Sequence, residues 1–498
     1  MARQTSFPST SHTRIPSPAI VAQDAVRRFP RWALIALCIA YALAGFAGRE
    51  PWRSEDLIGF AGLLGWLGTG DSAWLLARFG AMLLLGLTFF CTWYATYYLA
   101  RRDAAQPVPF AFGGEAKATD YARAIADGAM LAFIACLGLA QLGHETTKAL
   151  VQLTLTSLVF FGCSAYTYHP MKSILALVVG GIGLLFVLPT LRLDAMNWLA
   201  LQAWRESIHM LLWFAWPAWA LGALALFKWR RHLLTLRPAL HIGLPFIFVL
   251  LHVVFLPAID QKDRWFLSAL PSLAALASFA LPTLRRALKS LIDLFTLIFF
   301  SGCALIIWVV WIAMQTGVPP QPASNVARLL PAFTPTFSAP VLLLALAATL
   351  AWGFLVYWRV GKHRPAIWMS MVLPAGGAAL CWALLMSLWL PLLDHARSYQ
   401  PLLSLVQKHM VSLSDSKAID GCIYTHGLSG AQQAALRYYT KRPLIEANRG
   451  VSCDWLVTDS EAVPNLPEYV ALADWKLVTT IRRPSDKSET WLIYARKQ

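Results

Sequence analysis

The amino-acid sequence predicts a polytopic α-helical membrane protein of about 11 transmembrane helices with a small C-terminal α/β domain. Three observations carry this. Of 498 residues, 57% are hydrophobic and only 14% charged, too little charge for a soluble surface of this size. Apolar runs of about 20 residues, enough to cross a ~30 Å hydrocarbon core, recur along the chain. After Leu393 the pattern changes to the alternation of half-buried strands.

Taken in order, residues 1–30 form a polar, basic tail. The apolar run Arg31–Gly48 follows and reads as an uncleaved first span. Ala44-Gly45-Phe46-Ala47 resembles a signal-peptidase site, but the polar stretch before the run is far longer than a signal peptide's basic region. Next comes GREPWRSEDLIGFAGLLGWLGTGD, Gly48–Asp71, whose Leu57–Gly70 is glycine-rich, too short to span, and expected to lie at the interface. Spans are expected near Ser72–Ala100, Asp127–Gly143, Thr147–Tyr166, Met171–Leu191 and His209–Lys228. Others are expected near Leu240–Ile259, Trp265–Leu284, Leu291–Gln315, Pro340–Trp358 and Ala366–Leu392. Arg101–Tyr121 and Gly317–Pro340 are punctuated by proline and read as loops.

Charge sets the expected topology. The net charge of +16 could suggest nucleic acid, but lysine and arginine cluster where spans end: Arg27, Arg28 and Arg31; Arg101 and Arg102; Lys228, Arg230 and Arg231; Arg285, Arg286 and Lys289; Arg359, Lys362 and Arg364. Each cluster falls at every second crossing, as cytoplasmic loops require. The basic balance therefore points to membrane lipids as partners, with no nucleic acid. The N-terminus is expected in the cytoplasm and the tail outside. The domains are then a cytoplasmic tail (1–30), a membrane domain (31–392) and an external α/β domain (393–498).

In that tail, Lys417–Gly427, Asp454–Asp459, Trp475–Arg483 and Thr490–Lys497 read as strands. Ser429–Pro443 reads as a helix that Ser429 could cap. Six cysteines lie in apolar spans and suit small core residues. Cys422 and Cys453 are alone in the tail, where an oxidising compartment would favour a disulfide between them.

Polar residues gather at the external ends of the helices. One group is Arg49, Glu50, Arg53, Glu55 and Asp56, and a second is Gln141–Lys148 with His144 and Glu145. Leu191–Trp198 with Trp204–Ser207 makes a third, and Asp260–Leu273 with Lys262 and Arg264 a fourth. Single charges at helix ends are often no more than solvated surface. The adjacent acids Glu55 and Asp56 stand out because they abut an apolar segment. Carboxylates beside cations suit a reaction in which a sugar leaves a phosphate-linked carrier. The carboxylate is a general base and the cations stabilise the departing phosphate. No His, Cys or acidic cluster has metal-ligand spacing, so no metal or other cofactor is assigned. No phosphate-binding loop or dinucleotide fingerprint is present.

These motifs resemble the bacterial polyprenyl-phosphate-sugar glycosyltransferases of the GT-C superfamily, which include aminoarabinose lipid A transferase and relatives of the protein O-mannosyltransferases. Ser54-Glu55-Asp56 stands where the family keeps an acidic pair in its first external loop. His144-Glu145-Thr146-Thr147 matches its second polar loop, and Lys262 to Pro271 resembles its basic, aromatic helix start. The external α/β tail is similar too. The order of the acids, Glu before Asp, and the short first loop depart from the pattern. The resemblance implies an inner-membrane enzyme that moves a sugar from a polyprenyl-phosphate carrier to a lipid A, glycan or protein acceptor. It implies Glu55 or Asp56 as base, Glu55 being first choice, with Arg53, His144, Glu145, Lys262 and Arg264 binding substrate. Two other classes fit parts of the sequence. A flippase for a lipid-linked sugar would need ionisable residues near mid-membrane, and a silent scaffold would suit the short loop.

Overall fold

The computed structural model describes residues 17–26, 29–52, 55, 71–110, 114–188, 201–234, 239–330, 333–360, 366–413, 421–447, 453–483 and 486–497. Arg53, Asp56, the interfacial segment Leu57–Gly70 and the Leu191–Trp198 cluster lie outside the described residues. The membrane part opens with helices α1 (Arg31–Phe46), α2 (Asp71–Ala100), α3 (Ala118–Ala135), α4 (Leu137–Leu142), α5 (Lys148–Ala165) and α6 (Pro170–Val187). It continues with α7 (Leu201–Phe214), α8 (Ala218–Lys228), α9 (Leu240–Phe255), α10 (Lys262–Leu267), α11 (Leu270–Ser278) and α12 (Arg286–Thr316). Then come α13 (Pro320–Leu329), α14 (Ala339–Val360), α15 (Val372–Leu388), α16 (Leu390–Arg397) and α17 (Gln400–Leu413).

Among the described residues, seven helices are long and apolar enough to cross a membrane, or eight if the bent pair α7–α8 counts as one. This is fewer than the eleven expected, for identifiable reasons. The sixth expected span turns by 99° between α7 and α8, where Pro217 cannot donate a helical hydrogen bond. The third begins nine residues early, at Ala118, and breaks at Cys136. Its first residues fall in the proline-punctuated stretch Arg101–Tyr121 that reads as loop, yet Tyr121 and Ala122 are buried. The eighth is divided among α10, α11 and a 3₁₀ turn at Leu281–Thr283. Proline-rich Gly317–Pro340 contains a helix, α13, that the sequence reading missed. Its prolines sit in the first turn, where the missing N–H costs nothing.

Burial separates centre from periphery. Every residue of α11 is buried, as is nearly all of α3, and α15 packs against α1, α3, α12 and α14. Only 17% of the apolar window of α6, and 11% of that of α14, is buried. Their exposed Leu, Ile and Phe surfaces therefore face lipid, where no hydrophobic penalty applies. Close approach in such a bundle depends on small residues. A Cβ on Gly180 of α6 would come 2.7 Å from Val159, and one on Gly162 of α5 would come 2.8 Å from Leu177.

The tail is a five-stranded mixed sheet of β1 (Ile423–His426), β2 (Leu444–Glu446), β3 (Trp455–Asp459), β4 (Trp475–Arg483) and β5 (Asp486–Arg496), in the order β2-β1-β3-β5-β4. The first three positions are parallel, and β5 runs antiparallel to both β3 and β4. Helix α18 (Gly430–Thr440) lies between β1 and β2 and opens with a reciprocal capping box of Ser429 and Gln432. Edge strand β2 has three residues, too few for an alternating signature. Helix α17 buries Leu402, Leu403, Val406 and Met410 against Trp455, Ile481, Trp491 and Ile493 of the sheet.

Ile423 pairs with Trp455 in parallel register. That pairing carries Cys422 beside the segment preceding β3, where it forms a disulfide with Cys453 at a Cα separation of 5.0 Å, within ordinary bridging range. The bond spans a sequence separation of 31 and is worth about 3–4 kcal/mol in the chain-entropy model. Cys422→Ala should destabilise the tail by that order, seen as earlier proteolysis of the sheet. Non-reducing peptide mapping should find the two cysteines linked, and free thiols in protein from an oxidising compartment would refute the bond.

Candidate active site

The described start of the acidic first loop is packed against the rest of the protein. Trp52 forms an isolated antiparallel bridge with Ser398, so the loop is pinned to the segment between α16 and α17. Helix α1 ends at Phe46 with carbonyls that lack intrahelical donors. Arg78 of α2 reaches them, donating to the Phe46 carbonyl at 3.1 Å and also to that of Arg49. An arginine inside an otherwise apolar span was the available signal for this role.

Glu55 is buried. Its Oε1 accepts from the Arg49 guanidinium and from the Thr146 backbone N–H at 3.2 Å. Its Oε2 accepts from the Trp52 backbone N–H at 3.2 Å. Arg49 also donates to the His144 carbonyl at 2.9 Å and lies 4.4 Å from the centre of the Trp52 ring. Burial pushes the Glu55 pKa up, while Arg49 and the Thr146 N–H oppose the rise. One carboxylate thus ties the segment after α1 to the segment between α4 and α5.

The second segment is equally enclosed. The His144 ring is buried, stacks on Trp382 of α15 at 4.9 Å, and packs edge-on against Tyr41. Its two nitrogens face the carbonyls of Ala140 and Tyr41. These contacts favour the charged ring, but burial outweighs them and takes the pKa down to about 3. Glu145 is also buried, and its Oε1 accepts from Gln141 at 2.9 Å. Its Oε2 lies 3.6 Å from Arg264 of α10, an ion pair, and has no hydrogen-bond partner among the described residues. Lys262, two residues before Arg264, turns instead to α7, where it pairs with Glu206 at 3.1 Å.

The sequence-derived residues therefore divide. Glu55, His144, Glu145 and Arg264 lie along one continuous set of contacts drawn from three segments distant in sequence. Lys262 belongs to a neighbouring pair with Glu206, and Arg53 and Asp56 fall outside the described residues. His252 packs against Trp265 and contacts the Phe248 carbonyl. Among the described residues, no three His, Cys, Asp or Glu side chains converge as metal ligands.

Sequence reasoning missed a second polar centre. Asp394 of α16 accepts from the Trp52 indole at 2.8 Å and from the Glu50 backbone N–H at 3.3 Å. Tyr439 of α18 donates to Glu50 at 2.7 Å. Arg483 of β4 pairs with Glu489 at 2.8 Å and donates to the carbonyls of Ala396 and Ser398. The sheet is thereby docked on the same loop. A cavity of about 350 Å³ opens here, lined by Glu50, Asp394, His395, Gln400, Thr334 and Thr336.

Burial raises the Asp394 pKa from 3.8 to about 6, against the pull of its two donors. A carboxylate with a raised folded-state pKa contributes stability that is fully present below its unfolded pKa and lost as pH rises through the folded one. Wild-type protein in detergent should therefore lose thermal stability relative to Asp394→Asn between pH 3.8 and about 6. Parallel stability profiles for the two proteins would show that Asp394 does not titrate in this way.

No protein-family model matches the sequence, and comparison with curated proteins finds no significant match. Solved structures do match. The crystal structure of ArnT from Cupriavidus metallidurans bound to undecaprenyl phosphate superposes with a TM-score of 0.52 at 11% identity, covering 93% of this chain and 97% of that one. In fold, the chain is similar to ArnT. The apo-state structure of ArnT gives a TM-score of 0.46 at 13% identity, covering 96% of this chain and 94% of ArnT. The fold is thus shared with ArnT over nearly the whole length of both chains.

Proposed function

We propose that this protein is a GT-C-type glycosyltransferase of the bacterial inner membrane. It moves a sugar from a polyprenyl-phosphate carrier to a lipid A, glycan or protein acceptor on the periplasmic side. The observation that carries the proposal is the joining of Arg49 and Glu55, of His144 and Glu145, and of Arg264 through successive contacts at one end of the bundle. The fold likeness to ArnT, whose structure holds undecaprenyl phosphate, supports the choice of carrier.

In this reading Glu55 holds the loop through Arg49, because its oxygens are occupied and buried. The base is then Asp56, the other member of the acidic pair. Asp56 takes the proton of the acceptor group as that atom attacks the anomeric carbon, and the carrier phosphate leaves with the electrons of the broken C–O bond. Arg53, Lys262 and Arg264 stabilise the charge on the departing phosphate. The side chains of Lys262 and Arg264 keep 20% and 25% exposure, enough to meet a ligand. The direct test is transfer of labelled sugar from a polyprenyl-phosphate donor by purified protein, and absence of transfer to any acceptor class would refute the activity.

The proposed topology has a cytoplasmic N-terminus and eleven crossings. The eight spans recognised by length and composition become eleven when α1, α3–α4 and the Leu270–Thr283 segment also cross. Residues 393–498 then form the periplasmic domain, where the Cys422–Cys453 bond persists. Cysteine-accessibility labelling should reach positions 101, 231, 286 and 362 from the cytoplasm, and positions 260 and 262 and the tail from outside. A tail labelled only from the cytoplasm would invert the scheme.

A further inference from the structure

We propose that the groove between α1 and α2 is a binding site for one anionic phospholipid, oriented with its phosphate at Arg31 and Arg123. The groove has a volume of about 1180 Å³, larger than pockets that enclose ordinary small ligands. Its body is apolar: Leu34, Ile35, Ile39 and Leu43 of α1 face Met82, Leu83 and Phe90 of α2. Arg31 to Leu43 corresponds to about 18 Å of helix, slightly more than one leaflet of a ~30 Å core. Acyl chains fit that length and that chemistry.

Charge is confined to one end. Arg31 begins α1, and Arg123 and Asp127 lie on the facing turns of α3. Asp127 is already engaged, accepting from the Trp93 indole at 2.8 Å, and Arg123 is 3.9 Å from Asp120 across a partly exposed pair. Arg31 and Arg123 both act on Asp127, and Asp120 lies outside the lining, so the lining keeps one positive charge in excess, which favours an anionic headgroup over a zwitterionic one. Trp93 and Tyr94 flank the same end, as aromatic residues do at headgroup depth. Opposite the charged end, the groove runs toward the end of α1 that carries Arg49 and Glu55, so its occupant would brace the helix on which the candidate site is hung.

Gly86 supplies the test, because it lines the groove and a Cβ built there meets nothing within 4 Å. Full-length protein is equilibrated with phosphatidylcholine vesicles containing phosphatidylglycerol, extracted in mild detergent, and its retained lipids are counted by native mass spectrometry. Wild type and Gly86→Ala should retain one phosphatidylglycerol in preference to phosphatidylcholine. Gly86→Phe, filling the groove, should retain neither while unfolding at the wild-type temperature. Arg31→Gln and Arg123→Gln should each reduce the headgroup preference roughly fivefold. Equal retention of phosphatidylglycerol by wild type and Gly86→Phe would overturn the proposal. So would its displacement by undecaprenyl phosphate added in equal amount, which would make the groove a carrier site. These readouts do not depend on sugar transfer, so failure here leaves the proposed activity standing, and the reverse also holds.

Discussion

Asp56→Asn should transfer sugar from a polyprenyl-phosphate donor about 10²–10⁴ times more slowly than wild type, the usual contribution of a general base. It should do so without a change in unfolding temperature. The amide is nearly isosteric with the carboxylate but cannot take the acceptor's proton at neutral pH. Cations beside a carboxylate favour its ionised form, and Arg53 is three residues away in the sequence. Arg264→Ala should act differently, weakening use of the phosphate-linked donor at low concentration. It would remove a cation and leave buried Glu145 without its ion pair. The assay is initial-rate transfer in membranes carrying matched amounts of each variant. An Asp56→Asn rate equal to wild type would remove Asp56 from the chemistry.

The parts of the fold legible in the sequence are those written as period and charge. Helices α2, α5, α9 and α12 lie close to their apolar runs because lipid and core both accept a continuous apolar surface. Strands β3 and β4 begin and end where their alternation does. Elements whose sequence suits two environments were harder to read. The start of α3 carries Asp120, Arg123 and Asp127, and only partners such as the Trp93 indole, Arg31 and the Phe29 backbone make Asp127 tolerable in a helix interior. Helix α13 begins in prolines that usually signal a loop. In the site, acidic loop residues were visible as types. Which of them is enclosed was not, because enclosure depends on the Thr146 N–H and on the Trp52–Ser398 bridge, contacts between segments remote in sequence. Asp394 lacked any local signal, since its environment is created by docking of the first loop and of Tyr439 from the sheet domain.

Glu55→Gln should cost stability before it costs chemistry. The Arg49 and Glu55 side chains both have 0% exposure, so water can replace neither partner. Removing one member of a buried ion pair leaves the other charge uncompensated, typically at 3–5 kcal/mol. The substituted amide oxygen could still accept from Arg49 and the Thr146 N–H, but the buried guanidinium would lose its counter-charge and the amide NH2 would face the Trp52 N–H, donor against donor. Unfolding in detergent should therefore shift to markedly lower temperature, and transfer should fall in proportion to the folded fraction. The double variant Arg49→Met with Glu55→Gln removes both charges and should recover part of the loss, with a coupling of about 1–3 kcal/mol expected for residues in direct contact. A merely crowded site would show additive losses instead. If Glu55→Gln unfolds at the wild-type temperature yet transfers sugar about 10²-fold or more slowly, the roles are exchanged: Glu55 would be the base and its partnership with Arg49 would be the device that tunes it.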